Sequence, residues 1–346
     1  MRPYPDTFLD YLPPPTMGMM AYREKLEISY QIGQAQVPPI YALLKVTDRC
    51  NSQCAYCGHA GSAVKADIPT HLMKSVLEQI AASGATSVNF SGGEPLMRDD
   101  LPELVAFSRS LGLFPVLLTN GLLLEKRRAE LLESGVGMVI VSMDSIVADS
   151  FSANRGVGLA PILVGIESLL TWPENVRPVL TVTSVMTCHN IFHLTQLVEY
   201  CADRGIGVQF TPYHHNGRWE DDQLSPRDQL TYHQAINGLR EIKRADGGIV
   251  NSDSYLAHCF EFNSKERRVP VDYRCYCGYT TLFIDSDLNI RSCWSHGLPV
   301  AGNLQEERLE EILKDSRMRS LRKRIKELRC ERCWLLCTAE ISLRFQ

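Results

Sequence analysis

A chain of 346 residues, 45% hydrophobic and 22% charged, has the composition of an ordinary globular protein, long enough for one large or two joined domains. Its formal net charge of −4 argues against a nucleic-acid partner held by global charge. No apolar run approaches the roughly 20 residues that span a bilayer, and the Pro-rich start lacks a signal-peptide core, so no membrane partner and a cytoplasmic location are expected.

After the lead segment, Tyr22 to Gln34 fits a helix and Ile40 to Val46 a buried parallel strand. Directly beyond it Cys50, Cys54 and Cys57 stand at C-x3-C-x2-C spacing. Three soft thiolates on one short loop suit three irons of a cubane cluster, which leaves the fourth iron open to a ligand. The plainer alternatives are zinc, which usually takes four ligands, or three buried thiols.

Strands and helices then alternate. Thr70 to Ser83 has one apolar helical face, Thr86 to Phe90 is a strand, and Asp100 with Pro102 starts a helix as an Asx cap and a first-turn proline. Leu113 to Thr119 is a strand closed by the turn Asn120-Gly121. Glu125 to Glu133, Ala160 to Leu170 and Phe192 to Arg204 read as helices, and Met138 to Met143, Leu180 to Met186 and Gly207 to Pro212 as strands. Six strands alternating with helices imply right-handed crossovers and a parallel α/β sheet curled toward a barrel. Ligands gather at the carboxyl ends of such strands. There lie Gly92-Gly93-Glu94, then Ser142-x-Asp144, and Asn154-Arg155-Gly156 in the next loop; a pairing of Asp144 with Arg155 is as good a reading as a ligand contact.

These motifs together resemble the radical S-adenosylmethionine (SAM) superfamily. The resemblance implies a partial (β/α)6 barrel in which Cys50, Cys54 and Cys57 hold a 4Fe-4S cluster whose open iron is chelated by SAM. It implies Tyr56 beside the adenine, Gly92, Gly93 and Glu94 at the SAM amino group, Ser142 and Asp144 at the ribose or substrate, and Arg155 at the SAM carboxylate. Ser145 replaces the glycine that usually follows Asp144. A flavodoxin or ferredoxin is the reductant that the resemblance implies.

After the sixth strand, the loop from Thr211 to Asp222 carries His214, His215 and Arg218 at the mouth of the expected barrel, where they are candidates for substrate contact. Adjacent histidines on an extended segment point to opposite faces and chelate a metal poorly. Ser225 to Asp246 is a long helical pattern.

Six of the twelve cysteines cluster near the C-terminus: Cys275, Cys277, Cys293, Cys330, Cys333 and Cys337. Four thiolates from separate elements close a metal site, which suits zinc or a second iron-sulfur cluster. The hairpin from Phe283 to Cys293 and the Gly302-Asn303-Leu304 step resemble the SPASM and Twitch extensions. That implies one auxiliary 4Fe-4S cluster on Cys275, Cys293, Cys330 and Cys333, with Cys277 and Cys337 as substitutes and Leu288 in place of a glycine. Leu304 to Arg329, acidic first and basic last, reads as a solvated helix ordered by its dipole. The expected organisation is an N-terminal extension (1–39), the barrel (40–248) and a small auxiliary iron-sulfur domain (249–346).

The resemblance implies reduction of SAM to a 5'-deoxyadenosyl radical that takes a hydrogen atom from a substrate carbon. Only 49 residues precede Cys50, fewer than the N-terminal peptide-binding domain of many peptide-modifying relatives, so a small sugar or nucleoside is the expected substrate. Decarboxylation of a glucuronosyl nucleoside in natural-product biosynthesis, as in cytosylglucuronic acid decarboxylases, is the first expectation. Dehydrogenation of an aminoglycoside or sugar, with the auxiliary cluster as electron acceptor, or its epimerisation, with Cys259 or Cys277 as hydrogen-atom donor, is an alternative. So are modification of a precursor peptide and a non-catalytic iron-sulfur or zinc scaffold.

Overall fold

The computed structural model describes residues 4–57, 65–214, 224, 228–245, 247–262, 269–294, 298–327, 329–330 and 333–346. In chain order, α1 (Met19–Ile32) precedes β1 (Tyr41–Thr47), α2 (Thr70–Ala82), β2 (Ser87–Gly92), α3 (Leu101–Ser110), β3 (Phe114–Thr119), α4 (Leu124–Ser134) and β4 (Met138–Ser142). Next come α5 (Ala148–Arg155), α6 (Ala160–Leu170), β5 (Val179–Met186), α7 (Leu194–Ala202), β6 (Gly207–Pro212), α8 (Gln229–Arg244) and α9 (Asp253–Phe262). The C-terminal part holds β7 (Thr281–Ile284), β8 (Asn289–Arg291), β9 (Gly302–Asn303), α10 (Leu309–Lys314), α11 (Ser316–Lys326) and α12 (Leu336–Arg344).

The strand order is β6-β5-β4-β3-β2-β1-β7-β8-β9, and the sheet is not closed. Pairing is parallel from β6 to β7 and antiparallel beyond. The expected partial barrel is therefore present, but the C-terminal hairpin continues its sheet: Tyr41 to Leu44 of β1 pair with Thr281 to Ile284 of β7. The N-terminal extension joins the same core. Phe8 N donates to Val250 O at 2.9 Å, and Tyr22 of α1 packs its ring against Phe345.

Four local expectations are corrected. Asp100 sits at the N-cap of α3 without capping it; its carboxylate instead accepts from Arg98 Nη2 at 2.6 Å and Thr70 Oγ1 at 2.7 Å, stronger partners than a backbone amide. Arg155 ends a helix, α5, rather than lying in a loop, and Gly156 closes that helix in the left-handed conformation. The acidic-to-basic segment forms two helices, because Asp315 stops α10 and caps α11 through Arg317 N at 2.7 Å. Within it Arg322 is buried and donates to Gly278 O at 2.8 Å, so this residue is not a solvated cation.

Side chains alternate across each strand, and those facing inward leave a cavity of about 270 Å³. It runs along the concave face of the sheet, with Phe8 and Leu12 at the starts of the strands and Trp294, Leu336 and Cys337 from the C-terminal segment on its wall.

Candidate active site

The end of β1 and the end of β2 are drawn together by glycine. A Cβ on Gly92 would lie 2.3 Å from Thr47 O, and one on Gly93 2.3 Å from Arg49 O. Only glycine permits this approach, which is held by Gly93 N to Thr47 O at 2.8 Å and Glu94 N to Arg49 O at 2.7 Å. The Gly-Gly-Glu turn thus forms the floor under the cysteine loop.

Glu94 is fully buried. Its carboxylate accepts from Thr119 Oγ1 at 2.7 Å, Asn120 N at 2.6 Å and Leu96 N at 3.1 Å. Burial pushes this carboxyl up to about 7, against the pull of those three donors. The side chain is a strut that ties β2 to the end of β3.

Asp144 and Arg155 pair with each other. Arg155 Nε donates to Asp144 Oδ2 at 2.7 Å and Nη2 to Oδ1 at 2.8 Å, a buried bidentate pair. Tyr56 Oη donates to Asp144 Oδ2 at 2.6 Å, and Val185 N to Oδ1 at 2.9 Å. Burial opposes the charge on Arg155, but Asp144, Tyr56 and Cys54 more than offset it, and its pKa is raised. The guanidinium Nη1 then reaches Cys54 Sγ at 4.0 Å and stacks over the Tyr56 ring at 5.3 Å. The cysteine loop is fastened to α5 by Ala55 N to Asn154 O at 2.9 Å and Ser52 Oγ to Arg155 O at 2.8 Å.

Cys50 and Cys57 are exposed and Cys54 is half-buried. Cys50 opens to solvent on one side, while the protein packed behind it, with Glu94, Cys54 and Cys57 close by, raises its thiol pKa. Polar groups surround the sulfurs: Asn120 Nδ2 lies 3.9 Å from Cys50 Sγ, and Ser52 Oγ lies 3.4 Å from Cys54 Sγ. No three described Cys, His or acidic side chains converge on a single-ion site. A cubane asks for something different, one thiolate per iron at separate corners. Three thiols on one loop, flanked by a guanidinium, an amide and a hydroxyl, fit that group.

The second thiol group is built by contact. Cys275 hydrogen-bonds Cys277, Cys277 also hydrogen-bonds Cys293, and Cys293 hydrogen-bonds Cys333. Cys337 lies in the field of Cys293 and Cys275. Cys277 thus contacts both Cys275 and Cys293. Cys330 is half-buried at the edge of the core.

Other expected site residues are dispersed. Ser142 ends β4 opposite Thr183 of β5. His214 stacks on Phe262 at 4.5 Å and its Nε2 accepts from Trp334 N at 3.2 Å, so it braces the C-terminal segment. His215 and Arg218 lie outside the described residues. Cys259 is fully buried on α9, donating to Tyr255 O at 3.4 Å. Neither it nor Cys277 lines the cavity; Cys337 does. Asn120 is the residue that sequence reasoning passed over, taken as turn punctuation although it sits at a strand's carboxyl end. Its Nδ2 donates to Asn51 Oδ1 at 2.7 Å and its backbone to Glu94, linking three parts of the site.

The sequence profile of the radical SAM superfamily matches residues 44–159, and that of the SPASM iron-sulfur cluster-binding domain matches residues 275–334. The chain carries a radical SAM domain followed by a SPASM-type iron-sulfur domain. These domains imply a SAM-binding 4Fe-4S cluster, SAM itself and auxiliary iron-sulfur ligation. Among individual proteins, the chain is 34% identical over 201 residues to the PqqA peptide cyclase of Xanthomonas oryzae pv. oryzae, covering 56% of this chain and 53% of that one. It is 33% identical over 177 residues to the PqqA peptide cyclase of Rhodopseudomonas palustris, covering 50% and 46%. The chain thus spans about half the length of the curated relatives it matches. Its fold is similar to Streptococcus suis SuiB bound to S-adenosylmethionine, with TM-score 0.68, 17% identity and coverage of 86% of this chain and 70% of that one. It is also similar to anSMEcpe with bound AdoMet and a peptide, with TM-score 0.65, 19% identity and coverage of 83% and 84%. No described helix is long and apolar enough to cross a membrane.

Proposed function

We propose that the protein is a radical SAM enzyme that modifies a peptide, with its reacting segment held in the cavity of the open sheet. The observation that carries this reading is the Tyr56–Asp144–Arg155 network, which fixes a loop of three accessible thiols at the carboxyl ends of the strands. When bound, the cluster and SAM supply hydrogen-atom abstraction from a substrate carbon. The chain's part is to orient and to exclude water: the Gly92-Gly93 floor, the Glu94 strut and Arg155 beside Cys54 set the loop's position. The cavity, walled by Trp294, Leu336 and Cys337, keeps the substrate dry.

A peptide is favoured over a sugar or nucleoside because the curated relatives are named PqqA peptide cyclases and one similar structure is bound to the precursor peptide SuiA. No observation favours decarboxylation of a glucuronosyl nucleoside. The auxiliary site is proposed to use Cys275, Cys277, Cys293 and Cys333, the four joined by thiol contacts. The test is anaerobic reconstitution with SAM, a reductant and a panel of peptides, sugars and nucleosides, following 5'-deoxyadenosine and product mass. Stimulation by a peptide with a changed product mass supports the reading; stimulation only by a sugar or nucleoside overturns it.

A further inference from the structure

One buried hydroxyl beside the closed thiol site takes no part in assembling it. Tyr273 stands two residues before Cys275, outside every helix and strand, and its ring packs against Trp334 with centroids 5.1 Å apart. Trp334 is itself fully buried and anchored by Nε1 to Tyr255 O at 2.9 Å, so the tyrosine ring is fixed from behind. Its hydroxyl is buried too, and no described group meets the Oη at hydrogen-bond geometry. What it faces is sulfur. Cys275, Cys333 and Cys277 all lie in its field, and Cys275 is the thiol on which its hydroxyl acts directly. A buried hydroxyl without a well-placed acceptor is costly, so this one marks a position where an acceptor is expected.

The neighbouring hydroxyls divide the roles. Ser342 Oγ accepts from Tyr276 N at 3.0 Å, which leaves its own proton to turn toward its side-chain neighbour, Tyr273 Oη. Thr338, one turn earlier on α12, lies 3.5 Å from Cys333 Sγ, but its Oγ1 donates to Leu335 O at 3.0 Å. A hydroxyl has one proton to give. Thr338 has committed its proton to the backbone, whereas that of Tyr273 is uncommitted. A donor that is itself hydrogen-bonded by another donor is polarised and gives a stronger bond.

We infer that Tyr273 donates its hydroxyl proton to the Cys275 sulfur of the auxiliary cluster and so raises that cluster's reduction potential, with Ser342 orienting the hydroxyl. This rests on the auxiliary site given under the proposed function. No proton is transferred. The bond strengthens as the cluster takes up an electron, because a donor facing sulfur gains more as its acceptor becomes more negative. Hydrogen bonds to cluster sulfurs are among the levers that set such potentials. Tyr273 therefore sets how readily the closed cluster exchanges an electron and takes no part in the open site.

The experiment is a redox titration of the anaerobically reconstituted full chain, followed through the auxiliary cluster's electron paramagnetic resonance signal. Tyr273→Phe, Ser342→Ala and Thr338→Val are compared with the unaltered protein. Tyr273→Phe keeps the ring against Trp334 and should keep full auxiliary iron. It should disfavour reduction of the auxiliary cluster about tenfold, a fall of about 59 mV for a one-electron couple. It should also remove one exchangeable-deuteron coupling to that cluster, read by electron-nuclear double resonance in deuterium oxide. Ser342→Ala should give a smaller fall and Thr338→Val none, with the open cluster's potential unchanged in all three. The inference is overturned if Tyr273→Phe with full iron leaves the potential and the deuteron coupling as they were, or if Thr338→Val moves the potential as far. Where Tyr273→Phe loses auxiliary iron, Ser342→Ala decides, and an unchanged potential there overturns the inference. Iron analysis of the unaltered protein reports the underlying site separately. A filled auxiliary site without these shifts sinks the role of Tyr273 alone, whereas absent auxiliary iron sinks the site itself.

Discussion

The two thiol groups differ in what surrounds the sulfur. In the first, Cys50 and Cys57 are exposed, and the nearest partners of the loop's sulfurs are polar groups from other elements: Asn120, Ser52 and Arg155. In the second, Cys277 and Cys293 are buried and Cys277 has other sulfurs as partners, with Thr338 Oγ1 3.5 Å from Cys333 Sγ at the edge. A site that must admit a ligand needs access and donors fixed in advance, whereas a closed site gathers its ligands from separate elements and buries them. The chain builds both on one sheet, the first at the end of β1 and the second around the hairpin that pairs with β1.

Five substitutions test that contrast and its surroundings. The largest effect is expected at the open site: Cys54→Ala should lower 5'-deoxyadenosine formation by about 1,000-fold or more and remove about four iron atoms per chain, read by product assay and iron analysis. Next is the network that holds the loop. Arg155→Gln leaves Asp144 buried beside Tyr56 without its cation and should cost about 3–5 kcal/mol in urea unfolding; a change under about 1 kcal/mol would show that the pair is not the fastening.

At the closed site Cys277→Ser should lower auxiliary iron while the cluster on Cys50, Cys54 and Cys57 still cleaves SAM slowly in the absence of substrate. Full auxiliary iron in Cys277→Ser, with loss in Cys330→Ser, would restore the assignment that the resemblance implies. The smallest effect lies away from both sites. Burial pushes Glu340 up to about 7, with Ser252 N donating to its Oε1 at 2.8 Å and Oε2 without a hydrogen-bond partner among the described residues. Its folded pKa exceeds the unfolded value of about 4.3, so its contribution is present below that value and is lost as pH rises through about 7. Glu340→Gln should therefore stabilise the protein by about 1–3 kcal/mol at pH 8 and flatten its stability between about pH 4.5 and 7.

The parallel strands were legible because β1, β3 and β4 read as near-continuous apolar runs and the others alternate with helical patterns; β6 has the same bounds in sequence and structure. The three thiols and the glycine turn were legible because spacing and a missing side chain are local facts. Helix α5 was not, since Asp149, Ser150, Ser152 and Asn154 leave few apolar side chains to set a period, and packing against the cysteine loop completes it. Leu288 shows the same limit. It adopts φ 63° where glycine is expected, and its 1% exposure shows that burial of the side chain outweighs about 1–2 kcal/mol of backbone cost. Tyr273 stayed hidden because a tyrosine near a cysteine acquires meaning only when the fold brings Trp334 and α12 against it.

The pairing of one open with one closed cluster is decided by electron paramagnetic resonance of the reduced holoprotein with and without SAM. Two signals are expected. SAM should shift the signal abolished by Cys54→Ala and leave unchanged the one abolished by Cys277→Ser. A shift of the second signal by SAM, or a single signal lost in both variants, would contradict it.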